Sequence, residues 1–190
     1  MRHPAVLLLI LLLIAGITWL LLDAPTSVQD ETGADQSAGH QLDYYLRGMQ
    51  ATTLGADGRP TQKLQSAAVN HYADDDTTEF EAPHLSVFEG EHPPWEIRAD
   101  RAWMSADGEL MLLQDRVTID RPAFPGNPPL HLVTANVRVQ PNQGYAETDE
   151  AVRVRSNQDW LDATGMQAWL NEPSRIKLLA DVKGFYALPE

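Results

Sequence analysis

The chain has 190 residues, with 14 basic and 27 acidic side chains, a formal charge of −13 and no cysteine. That length suits one membrane segment plus one domain with a core of its own. The charge excludes a nucleic-acid binder and adhesion to an anionic bilayer, and the missing cysteine excludes disulfides, thiol chemistry and a lipidated-cysteine anchor.

Residues 5–22 (AVLLLILLLIAGITWLLL) are uncharged; Arg2 precedes them and Asp23, Asp30 and Glu31 follow. At helical rise they span about 27 Å, close to the hydrocarbon thickness of a bilayer. The run is longer than the apolar core of a cleaved leader, and no A-x-A site follows it. Residues 1–23 are therefore expected to be a retained transmembrane anchor, with Met1 in the cytoplasm and everything after Asp23 outside it. Residues 24–41, small, polar and acidic, read as a flexible linker.

Residues 42–190 form the remaining domain. Its segments alternate apolar and polar residues between turn signals, without a helical period. Strands are predicted over residues 44–54, 63–72, 78–88, 95–104, 110–120, 130–139, 145–155, 160–170 and 176–186. Between the fifth and sixth, residues 122–129 (PAFPGNPP) make a proline-rich loop that cannot be a strand. Nine short strands without helices predict an all-β antiparallel sandwich or roll.

A repeat underlies this series. Ala99 and Val117, Thr134 and Val152, and Thr164 and Val182 are each 18 positions apart, as are Ala67 and Leu85. Each unit is strand, turn and strand, and such a hairpin must pack on its neighbours to bury its apolar face. Alternation puts Trp95, Ile97 and Ala99 inward, with Glu96, Arg98 and Asp100 outward. Val117 and Ile119, Leu130 and Leu132, Val152 and Val154, and Ile176 and Leu178 are likewise inward.

The chain resembles the LptC family, bitopic inner-membrane components of the lipopolysaccharide export bridge. The resemblance covers nearly the whole length. It rests on the N-terminal anchor, Gly58 in the first turn, and Phe80 with Pro83. It rests further on WEIRADRAWMSADGELMLLQDRVTI and on DATGMQAWL with Gly165. It implies a twisted antiparallel β-jellyroll, like that of LptA-like carriers, open along one side and holding lipid acyl chains. It also implies a single-pass inner-membrane protein with its C-terminal domain in the periplasm. The partners implied are lipopolysaccharide, the LptB, LptF and LptG transporter, and an LptA-like carrier that meets the carboxyl-terminal edge. The loop 122–129 is longer than the family needs.

Met49 and Phe80 match lipid-facing positions of the family. Alternation alone adds Ile97, Val117, Ile119, Leu132, Val137, Val139, Val152, Val154 and Met166. By the bland reading all of these are ordinary core. The last strand is expected at a sheet edge, with Gly165, Ile176, Leu178, Val182 and Phe185 in partner binding. No cofactor, metal or enzymatic activity is expected. The six histidines have no H-x-x-x-H or HExxH spacing, Asp74-Asp75-Asp76 lacks the glycine and glutamate of a calcium loop, and there is no G-x-S-x-G elbow or phosphate-binding glycine loop. The alternative is a scaffold that links inner-membrane and periplasmic partners without binding lipid.

Overall fold

A computed structural model describes residues 41–170 and 175–187. It contains β1 (Leu42–Leu54), β2 (Pro60–Tyr72), β3 (Thr78–Glu81), β4 (His84–Val87), β5 (Trp95–Met104), β6 (Met111–Arg121), β7 (Leu130–Gln140), β8 (Tyr145–Ser156), β9 (Asp159–Trp169) and β10 (Arg175–Phe185). Antiparallel pairing joins them into one sheet, ordered β1-β2-β3-β5-β6-β7-β8-β9-β10, with β4 also pairing β2 and β5. The all-β antiparallel expectation holds. The anchor expected over residues 1–23, and the linker up to residue 40, lie outside the described residues. Among the described residues no helix is long and apolar enough to cross a membrane.

One predicted strand, residues 78–88, is two. Ala82 adopts φ 46° and precedes Pro83, which has no N–H to donate. Pairing with β2 and β5 therefore stops at Glu81 and resumes at His84.

The same bend recurs across the sheet. Gly48 in β1, Asp115 in β6, Asn136 in β7, Gly165 in β9 and Asp181 in β10 all have φ between 49° and 75°. Ladder register shifts at matching places, between Ala99 and Arg101, Leu113 and Arg116, and Thr148 and Ala151. A left-handed residue inserted in a strand turns it and deepens its twist, and Gly, Asn and Asp adopt that conformation at least cost. Aligned, these bends form a crease along which the sheet folds over. Side chains take up backbone groups freed there. Asn136 Oδ1 accepts from the Asp115 N–H at 3.0 Å, and Asn136 Nδ2 donates to Glu150 at 3.1 Å. The Thr148 hydroxyl donates to the Ala135 carbonyl at 2.7 Å. The 18-residue spacing is thus the path from crease to hairpin and back; Ala99 and Val117 are direct partners beside it.

Folding over brings residues from both sides of the crease together. Met166 packs with Leu132 and Val152, and Leu64 packs on Val69, Phe80 and Ala102. A third cluster joins Ala99, Val117 and Val137 to Ala146 and Ala168. Val117 and Val152 are completely buried, each contributing about 1.5–3 kcal/mol.

Candidate functional site

Apolar ladders run across the strands on either side of the crease. On one side Leu64, Leu85, Ile97, Ile119, Leu132, Val154 and Leu161 are successive cross-strand partners from β2 to β9. At a strand spacing of about 4.8 Å, that path is about 29 Å long. On the other side Leu46, Val69, Phe80, Ala102, Leu113 and Val137 connect β1 to β7. A further row, Met104, Met111, Val139, Ala146, Ala168 and Ile176, connects β5 to β10.

The lining residues expected from sequence come together on these surfaces. Ile97, Ile119, Leu132 and Val154 share the first ladder, Phe80 and Val137 the second, and Val139 the third. Val117 and Val152 lie nearer the crease, where Val117 pairs Thr134 and Val152 pairs Ala163. Met49 packs on the Val69–Phe80–Ala102 cluster, and Met166 on Leu132. Sequence reasoning missed Leu64, Leu85, Ala102, Leu113, Ala146, Leu161 and Ala168. Strict alternation from Ala99 would turn Arg101 inward. The bulge after Ala99 shifts the phase, so Ala102 is buried instead. The aspartates at the bends, Asp100 and Asp115, were the available signal.

Among the described residues β1 and β10 are the free edges of the sheet. Leu42, Tyr44, Tyr45, Leu46 and Leu54 on β1 are exposed. So are Ile176, Leu179, Val182 and Phe185 on β10, and Tyr186 just beyond it. The other exposed large hydrophobics among the described residues, Trp160 and Leu170, are on or next to β9, which pairs β10. Of the expected docking residues, Ile176, Val182 and Phe185 are thus open to solvent. Leu178 is half-buried against the Leu132–Val152–Met166 cluster, and Gly165 is buried one strand in, beneath Leu179.

A pocket of about 300 Å³ beside this edge is lined by Val154, Trp160, Leu161, Gly184, Phe185 and Tyr186 among others. Next to it Arg155 donates to Asp162 at 2.7 Å and lies over the Trp160 ring; that bond holds the Asp162 carboxyl below its ordinary range. A second cavity, of about 320 Å³, lies at the crease against Ala82, Pro83, His84, Arg98 and Arg116. The Asp74–Asp76 turn is exposed, and Asp75 there accepts from the Thr77 N–H and hydroxyl at 3.2 and 2.7 Å. His131 faces solvent and pairs with Asp120. Among the described residues no group of His, Cys, Asp or Glu could hold a metal ion.

A family profile described as "Lipopolysaccharide-assembly, LptC-related" matches residues 7–187. The chain belongs to the LptC family. No curated protein matches it. As an LptC-family member it is a non-enzymatic, inner-membrane-associated component of lipopolysaccharide transport.

Proposed function

We propose that the inner face of the roll carries lipopolysaccharide acyl chains, received from the LptB, LptF and LptG transporter and passed to an LptA-like carrier docked on β10. The observation that carries this reading is the direction of the ladders. They run across the strands toward both free edges, so a neighbouring roll paired at an edge would extend the apolar path. Burial of acyl chains at about 0.8 kcal/mol per methylene gives one long chain roughly 8–10 kcal/mol before ordering costs. Repulsion from the acidic surface is screened beyond about 8 Å at physiological salt. In this reading residues 1–23 anchor the protein, 24–41 tether it, and 42–190 form the periplasmic domain.

The complete burial of Val117 and Val152 supports a second reading, in which the roll is a filled scaffold that only links partners. A photo-reactive amino acid at Phe80 separates the two in cells making lipopolysaccharide. Lipid adducts at Phe80 are the expected result. Carrier adducts at Val182 with no lipid at Phe80 would favour the scaffold. For the anchor, mass spectrometry of the membrane-extracted protein should find residues 1–22 intact; an N-terminus near Ala24 would overturn that part.

A further inference from the structure

The first ladder ends at a charged lip. One step beyond Ile97, Ile119 and Leu132, the same face presents Trp95, Arg121 and Leu130, with Arg121 and Leu130 paired. The Arg121 guanidinium is stacked between two rings, 4.7 Å from the Trp95 centroid and 4.7 Å from that of Phe124. Its side chain is only 13 % exposed. Phe124 comes from the long proline-rich loop, folded back by a two-bond bridge between Phe124 and Asn127. His92 packs against the Phe124 ring, with the two centroids 4.7 Å apart. Arg121 Nε donates to the Pro93 carbonyl at 3.3 Å and Nη2 donates to Glu89 at 2.9 Å. Glu89 is the exposed member of that pair, at 53 %.

We propose that Arg121, clamped by Trp95 and Phe124, is a subsite for the phosphate of an amphiphile whose acyl chains lie on the adjoining ladder. This rests on the acyl-chain reading above and adds where the polar head sits. Stacking fixes the plane of the guanidinium, and departure of Glu89 would free its Nη1–Nη2 edge for an oxyanion, the geometry in which arginine binds phosphate in a bidentate manner. Aromatic rings at a boundary between apolar surface and water suit such a position. Glu89 holds the place of the ligand in the empty protein, and an incoming phosphate displaces this carboxylate from an exposed loop. The surplus length of loop 122–129 then has a use, since it delivers Phe124.

The test compares two probes with the full chain in non-ionic micelles: a bisphosphorylated, multiply acylated glucosamine disaccharide, and the same amphiphile after phosphate removal. Arg121→Gln should weaken binding of the phosphorylated probe about tenfold and leave the other unchanged. Glu89→Gln should tighten only the phosphorylated probe. Arg121→Lys, which keeps the charge, should retain part of the preference, and with Glu89→Gln it carries the test should Arg121→Gln fail to fold. Equal losses for both probes, or none, overturn the subsite while leaving the apolar ladder intact. If inorganic phosphate alone raises the melting temperature as much as the phosphorylated probe, the ligand is the free anion and the lipid assignment falls. A wild-type protein that captures neither amphiphile overturns the ladder reading and the subsite with it.

Discussion

Removing residues 176–190 is expected to abolish capture of an LptA-like carrier while the protein stays with its transporter and membrane. Among the described residues β10 ends the sheet, and no strand pairs with its outward N–H and C=O groups. Edges are ordinarily blunted by charge, and Arg175, Lys177, Asp181 and Lys183 do some of that. Exposed Ile176, Leu179, Val182 and Phe185 work against it and favour strand addition. Deletion also uncovers Met166 and Ala168 on β9, so a milder variant is needed. Val182 lies where pairing with β9 is interrupted, between Ala180 and Lys183. Val182→Pro therefore disturbs the β9–β10 ladder little, yet removes a donor from the edge. Pull-down with purified carrier, alongside circular dichroism, reads both variants. Normal capture by both folded variants would move the docking site elsewhere.

Gly165→Arg is the second large effect. Gly165 sits in the crease at φ +75°, and a Cβ there would lie 2.9 Å from Leu179 Cδ1 and 3.2 Å from Leu179 Cβ. Any side chain pays the left-handed backbone penalty, and arginine must also displace Leu179 from β10. Together these cost about 2–4 kcal/mol, a large share of the stability of a domain this size. The bend is lost where β9 presents β10, so the docking edge loosens with the fold. A lowered melting temperature together with loss of carrier binding is the expected outcome. Wild-type melting with undiminished capture would show that the bend tolerates a side chain.

What could be read from sequence follows from how local the determinants are. β5 was read at its observed bounds, residues 95–104, because Pro93-Pro94 ends the preceding loop and Trp95, Ile97 and Ala99 alternate cleanly. The edge position of β10 was legible because it closes a series of hairpin-linked strands, each pairing with the one before it. The break at Ala82 was not, because nothing in alanine itself forecasts a positive φ. On β5 the alternation read from Trp95 to Asp100 stops at the bend, and the phase change that buries Ala102 in place of Arg101 was not legible. The Arg121 clamp was invisible, since Trp95 and Phe124 are far apart in the chain and meet only through the β5–β6 register and a folded-back loop.

Five of the strands carry a left-handed residue at the crease, and this has a mechanical consequence. The two walls of the roll are joined by a hinge line rather than a stiff corner. Small, concerted dihedral changes at Gly48, Asp115, Asn136, Gly165 and Asp181 would alter the separation of the walls without breaking a ladder within either wall. If the roll carries acyl chains as proposed above, its bore is a compliant quantity, set by its guest. On the acyl-chain reading proposed above, the form with Val117 and Val152 fully buried is the closed one, and bound chains would widen the roll by their own thickness. Such a conduit would close again behind whatever passes through it.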